Sequence, residues 1–387
     1  MRLAFTRCPL QVLLLVAFTA LGSANTKCSV RDGKQQCSTL VERKEAVRGA
    51  IGHAWEAYRR FAWGKDEVQP RTKTANDRWG GYAVTMIDSL DTLWLAGMKK
   101  EFHEAASYLA EKLDFGKDLN PGVGRGISVF ETTIRALGGL LSAYHLSGVK
   151  PLLDKARELG EALMPALNTT SGIAWSHINL SQKFVFTDSG RYGEQVAGGM
   201  CTNQPGQSKC AFLSEFGTLL LEFRYLAHAT GDKRYALAAE KMYRSLDPAT
   251  RINGLWPVVW DVDTANRHTD MITFGGYGDS FYEYLLKGWI QSGGKDPLLW
   301  QWYEDATDAL SSWYVKKSTD GVQSYLPDYP HALFHQQHLA CFTPGMLALG
   351  PHLNQAWAAA NPTKAQRDTQ LAKVATPGSP WSLAHCL

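Results

Sequence analysis

The chain has 387 residues, enough to bury a large core, and its 40 Lys and Arg against 37 Asp and Glu give a formal net charge of +3. That balance gives no basis for binding nucleic acid or an acidic membrane surface. Thirteen Trp within 11% aromatic residues are expected mainly in the core of a largely helical protein.

At the N-terminus, Arg2 and Arg7 flank the start of an apolar run, Leu10–Leu21, followed by the small residues Gly22-Ser23-Ala24. This is the pattern of a secretory signal over residues 1–24. The run is shorter than the ~20 residues that span a bilayer, so cleavage is expected over retention as an anchor. The expected location is the endoplasmic reticulum or Golgi lumen, or outside the cell, and not as an integral membrane protein. With Cys8 in the signal, Cys28, Cys37, Cys201, Cys210, Cys341 and Cys386 remain, an even number suited to an oxidising compartment. Short loops favour Cys28–Cys37 and Cys201–Cys210, which leaves Cys341–Cys386. No C-x-x-C occurs, so no zinc site is expected. Asn168-Thr169-Thr170 and Asn179-Leu180-Ser181 are N-glycosylation sequons.

A Cys-containing leader, residues 25–40, precedes one domain over 41–387. Helical patterns cover Glu42–Trp63, a segment opening at Asp88-Ser89-Leu90-Asp91, and Glu101–Leu113. A longer pattern over Ile127–Tyr144 is followed by Leu152–Leu167, Phe212–Ala229, Lys233–Leu246, Asp279–Gln291 and Pro297–Val315. Only Lys183–Thr187 and Leu255–Trp260 read as strands, and Thr169–Gln207 is the least regular stretch. Helices arriving in pairs across Gly97, Gly148 and Gly231 predict an all-α stack of αα-hairpins with minor β-hairpins. Periodicity does not choose between an open solenoid and a closed toroid.

The helix over Ile127–Tyr144 is apolar on nearly every side, yet Glu131 and Arg135 stand i, i+4 upon it. They read either as a core-helix ion pair or as a confined carboxyl tuned for acid–base work. Three further clusters place polar groups where loops meet helices. In Gly275–Glu283, Ser280 and Glu283 fit a capping box, and Asp279 can also cap. Glu215 lies on an otherwise apolar helix, where a buried carboxylate needs a partner. His338 stands near Cys341. Carboxylates without a Ser-His-Asp or Cys-His pattern point to glycoside hydrolysis rather than acyl transfer.

Six stretches, in order from about residue 42 to the C-terminus, carry a resemblance. They are Ala54–Tyr58 with Ala62–Glu67; Asp88–Leu93; Ser128–Arg135 with Gly138-Gly139; Ser214–Thr218; Gly278–Lys287; and His338–Phe342. The chain resembles the class I α-mannosidases of glycoside hydrolase family 47, which trim α-1,2-linked mannose from N-glycans. The resemblance implies an (αα)7 toroid, here incomplete, and inverting hydrolysis of high-mannose N-glycans by a monomer. It implies a Ca²⁺ cofactor at the cavity floor, with none of its protein ligands assigned in this chain. It also implies Glu131 as catalytic acid, Asp279 as second catalytic carboxylate and His338 as a further catalytic residue. Arg135, Glu215 and Glu283, with Asp88 and Asp91 of another family motif, would bind the substrate, and Cys341–Cys386 matches the structural disulfide. Tyr277 departs from the family, whose endoplasmic-reticulum members carry Arg there and whose Golgi members an apolar residue. The chain also ends at Leu387, before any counterpart of the family's R-P-E motif, which carries the general base, and of its Ca²⁺-ligating terminal Thr. The alternative expectation is an inactive fragment, or a non-catalytic mannose-glycan-binding protein of quality control.

Overall fold

Thr39 starts the first long helix with a reciprocal cap: its Oγ1 accepts from the Glu42 N–H at 3.2 Å while Glu42 Oε2 accepts from the Thr39 N–H at 2.7 Å. The computed structural model describes residues 26–31, 34–116, 126–186, 209–319, 321, 324–330, 333 and 335–373. The signal segment, Cys201 and Cys386 lie outside them. Contacts group the chain into two compact units, Met1–Leu113 and Asp114–Leu387.

In the first unit, strands β1 (Thr26–Arg31) and β2 (Lys34–Thr39) pair antiparallel with Cys28 directly opposite Cys37. Helix α1 (Leu40–Phe61) buries Trp55 and Tyr58, and the Tyr58 hydroxyl donates to the Lys65 carbonyl at 2.7 Å. A hairpin of β3 (Glu67–Gln69) and β4 (Thr74–Asn76) leads to α2 (Val84–Asp88), α3 (Leu90–Leu95) and α4 (Lys99–Lys112). Asp88 therefore closes one short helix rather than opening the next. Ser89 is the joint between them.

The second unit is a succession of hairpins. The stretch expected as one helix from Ile127 is a composite: strand β5 (Ile127–Ser128), helix α5 (Val129–Glu131), a π-helical segment Thr132–Leu137 and helix α6 (Gly138–Ser147). The first residues are extended because β5 is the edge of a three-stranded antiparallel sheet with β6 (His177–Asn179) and β7 (Phe184–Phe186). Helix α6 turns through Gly148, at φ +75°, into α7 (Lys150–Leu167). That left-handed conformation suits glycine and ends the helix.

Strand β8 (Cys210–Phe212) pairs with β9 (Val259–Asp261) and feeds α8 (Leu213–Gly217). The helix expected over Phe212–Ala229 breaks at Thr218-Leu219 before α9 (Leu220–Thr230). Tertiary contacts hold the break: the Tyr243 hydroxyl donates to the Gly217 carbonyl at 2.7 Å, and the Thr218 hydroxyl to Ser280 Oγ at 2.8 Å. Helix α10 (Lys233–Ser245) completes that hairpin, and α11 (Asp279–Gln291) with α12 (Pro297–Ala309) forms the next. Helices α13 (Thr343–Leu353), α14 (Gln355–Ala360) and α15 (Pro362–Lys373) follow. The first helix of each hairpin packs on the first helix of the next, α6 on α9, α9 on α11 and α11 on α13.

Aromatic rings fill the space between these layers. Trp256 lies 4.8 Å from Trp302, and Phe274 stacks on Tyr282 at 4.2 Å. All four are buried, each side chain contributing about 1.5–3 kcal/mol by leaving water. Among the described residues no helix is long and apolar enough to cross a membrane.

Candidate active site

The second unit brings three acid-bearing elements together. Helix α8, with Glu215, packs on both α5, with Glu131, and α11, with Asp279. Glu131 and Glu215 stand just after a strand gives way to helix, and Asp279 where a tight loop does.

Ser128 ends β5 and caps the next turn, its Oγ accepting from the Glu131 N–H at 3.2 Å. Glu131 Oε2 accepts from Arg135 Nε at 2.8 Å, across the start of the π segment. The two side chains are 29% and 36% exposed. The pair is thus not sealed in the core, and a ligand can reach it.

Asp279 opens α11 behind a tight loop. The capping box expected at Ser280 and Glu283 does not form: the helix begins one residue before Ser280 and its N-cap is Gly278, which has no side chain to offer. Ser280 Oγ accepts from Thr218, and Glu283 pairs with Lys287. The Asp279 N–H reaches the Gly275 carbonyl at 2.9 Å, and Tyr277 in that loop has φ +77°, a strained setting for a residue with a side chain. Two contacts hold Tyr277: its ring lies 4.4 Å from that of Phe212, and its carbonyl accepts from the Ser214 N–H at 2.8 Å. Tyr277 therefore links the Asp279 loop to the Glu215 helix.

Burial pushes the Asp279 carboxyl up to about 6; hydrogen bonds from Ser280 pull the other way, and the Glu283 carboxylate adds to the rise. Only Oδ1 takes those bonds, at 2.9 Å from the backbone N–H and 3.5 Å from the hydroxyl of Ser280.

Glu222 gave no signal in the sequence beyond its place in the apolar run Leu219–Phe223. Its carboxyl accepts from the Tyr284 hydroxyl at 2.7 Å, while Oε2 is closed off from solvent with no hydrogen-bond partner. Burial raises it to about 7, against the lowering effect of Tyr284. It lies on α9 beside Gly138, the residue after the π segment that follows Glu131.

The remaining predicted residues lie as follows. Asp88 and Asp91 belong to the first unit, Asp88 exposed at the end of α2 and Asp91 in the first turn of α3. His338 is exposed at the start of a 3₁₀ turn, His338–Phe342. Cys210 and Cys341 are each disulfide-bonded. Asn168 is exposed at the end of α7, and Asn179 Oδ1 accepts from the Ser181 hydroxyl at 2.9 Å.

Mannosyl-oligosaccharide 1,2-alpha-mannosidase MNS1 of Arabidopsis thaliana is 41% identical over 314 residues, 80% of this chain and 52% of that protein. The endoplasmic reticulum mannosyl-oligosaccharide 1,2-alpha-mannosidase of Rattus norvegicus is 37% identical over 315 residues, 80% of this chain and 44% of its own length. The chain spans about half the length of the curated relatives it matches. Among solved structures, alpha-1,2-mannosidase from Trichoderma reesei matches with a TM-score of 0.71 and 25% identity, covering 86% of this chain and 67% of that one. That likeness bears out the all-α, (αα)7-type hairpin fold. The model of glycosyl hydrolase family 47 matches residues 50–385, and the chain belongs to that family.

Proposed function

We propose that this chain contributes the site of an α-1,2-mannosidase that removes terminal mannose from high-mannose N-glycans by inversion. The observation that carries the reading is the packing of the Glu215 helix on both the Glu131 turn and the Asp279 helix. Family membership and the names of the relatives support the substrate class.

Inverting hydrolysis needs one carboxyl to protonate the leaving oxygen and carboxylate help for water on the opposite face of the sugar. Glu131 takes the acid role, with Arg135 holding its Oε2. Asp279 works as the second carboxylate, and its elevated pKa makes it a stronger proton acceptor than an ordinary aspartate. Glu215, Glu283, Arg135 and His338 are assigned as polar lining that orients the mannose. Among the described residues no group of three or more His, Cys, Asp or Glu converges as a cation site. The described residues thus offer no cluster of this kind to the Ca²⁺ ion that the family resemblance implies.

A secretory-lumen setting fits the N-terminal pattern, the disulfide-bonded Cys210 and Cys341, and a relative named for the endoplasmic reticulum. In the same reading, Cys210 pairs with Cys201 and Cys341 with Cys386, Cys28 pairs with Cys37, and Asn168 and Asn179 carry glycans.

The test is direct. The purified protein is incubated with a high-mannose glycan and the released sugar is followed by proton NMR. β-Mannose should appear first, and E131Q should lower kcat by at least about 100-fold. First release of the α-anomer, or full activity in E131Q, would overturn the assignment.

A further inference from the structure

We infer that Asp328 and Gln337 form a clamp that positions Asp279 by fixing the donor–acceptor pattern of the loop before it. This rests on Asp279 being the working carboxylate.

Asp328 is buried, and each of its oxygens is taken. Oδ1 accepts from the Thr273 hydroxyl at 2.5 Å, and Oδ2 accepts from Gln337 Nε2 at 2.9 Å. Each partner then passes the contact to the loop backbone. Thr273 Oγ1 accepts from the Gly275 N–H at 2.7 Å, and Gln337 Oε1 accepts from the Gly276 N–H at 2.8 Å. Gly275 closes the turn by accepting from the Asp279 N–H. The loop that presents Asp279 is thus held at consecutive amides, both through one buried aspartate.

The fit leaves no slack. A Cβ on Gly275 would lie 2.5 Å from the Gln337 amide carbon, and one on Gly278 would lie 2.2 Å from the Thr273 carbonyl oxygen. Asp328 is itself anchored: Ile272 and Tyr329 exchange backbone hydrogen bonds at 2.8 and 3.0 Å, and the Tyr314 hydroxyl shares its one proton between the carbonyls of Ile272 and Pro327. Among the described residues, the titratable side chains near Asp328 are Tyr314 and His335, the latter 68% exposed with Nδ1 at 3.8 Å.

The polarity of this chain of bonds makes the clamp testable. In D328N an amide N–H either faces the Gln337 N–H, or turns to Thr273, whose Oγ1 can accept it but whose buried hydroxyl proton then loses the Asp328 acceptor. Turning the Gln337 amide over moves the conflict to the Gly276 N–H. In Q337E at neutral pH, two carboxylates face each other. In the double variant D328N/Q337E every bond returns, with donor and acceptor exchanged between positions 328 and 337. The second carboxylate oxygen at 337 still takes the Gly276 N–H.

The experiment compares the wild-type chain, both single variants and the double variant. It reads kcat and KM on α-1,2-mannobiose, and the titration of Asp279 by carboxyl-carbon NMR, assigned by its loss in D279N. Each single variant should lower kcat roughly 10- to 100-fold with KM within about twofold, since misplacing a reacting group by about 1 Å costs that much. The Asp279 titration should shift in both, and the double variant should recover kcat to within about threefold of wild type. Unchanged kcat and titration in the single variants, or a double variant no better than the worse single, would overturn the clamp.

If wild type releases no mannose, the hydrolase assignment fails, and the titrations alone decide the clamp. If D328N does not fold, Q337E supplies the same test. From about pH 7 to about pH 5 its carboxyl takes up a proton and becomes a donor toward Asp328, so its kcat relative to wild type should rise. A flat ratio would count against the clamp.

Discussion

Asp66 in the first unit and Asp279 in the second are both withdrawn from water, and in both burial raises the pKa. Their surroundings differ in depth and in hydrogen bonding, Asp279 being only half-buried. Asp66 is fully buried and spends both oxygens on backbone: Oδ2 accepts from the N–H groups of Trp79 and Gly81 at 2.9 and 2.8 Å, and Oδ1 from that of Val84 at 3.2 Å. Among the described residues, Asp279 spends only Oδ1, on its own neighbour Ser280. A raised pKa therefore does not mark a working acid. What separates the two is a carboxylate oxygen not already committed to holding the chain, and the predictions below test that distinction.

The largest effect belongs to D279N. It removes the proton acceptor while keeping shape and volume, so kcat should fall at least about 100-fold, with thermal stability unchanged or higher because a buried charge is gone. In wild type the acid limb of kcat should centre near pH 6, where Asp279 takes up its proton. Full activity in D279N, or an acid limb near the ordinary aspartate value, would place the working carboxylate elsewhere.

D66N should do the reverse. Its amide cannot satisfy the two N–H groups that now share Oδ2, or else it turns and fails Val84. Each buried N–H left unpaired costs roughly 1–3 kcal/mol, so the denaturant midpoint should drop by the equivalent of about 2–5 kcal/mol. A D66N protein as stable as wild type would mean that the loop closes without its aspartate.

Glu222 extends the comparison, having one oxygen on Tyr284 and the other unpartnered. Its folded pKa of about 7 lies above the ordinary 4.5, so the folded state binds its proton more tightly. Stability from this group is then full below about pH 4.5 and is lost as pH rises through about 7. Asp279 acts with the same sign between 3.8 and about 6. E222Q should remove the upper part of that slope and stabilise the protein at neutral pH by on the order of 1–3 kcal/mol. An unchanged slope in E222Q would show that another group carries it.

The hairpins were readable because their signals are local. Helix Asp279–Gln291 has the bounds its periodicity predicts, and Gly148 and Gly231 both take the left-handed φ that ends a helix. Glu131 and Asp279 were readable as motif residues. What escaped was imposed from a distance. The break at Thr218 depends on Tyr243, and the Asp279 loop on Asp328 and Gln337, which lie 55 residues from Thr273 and 61 from Gly276. No window of sequence contains both ends of such contacts.

The smallest predicted effect tests how far the Asp279 environment reaches. Lys287 pairs with Glu283 one turn along α11, but its side chain is 49% exposed, so the pair itself is worth only about 0.2–0.5 kcal/mol. Glu283 is also the carboxylate that adds to the rise of Asp279. K287M leaves that charge uncompensated, and the acid limb should move upward by a few tenths of a pH unit with kcat at its plateau nearly unchanged. Because solvent reaches the pair, about 0.5 M salt should erase most of the shift. A shift that survives salt would mean a change of shape rather than of field, and a downward shift would mean that Glu283 does not act on Asp279.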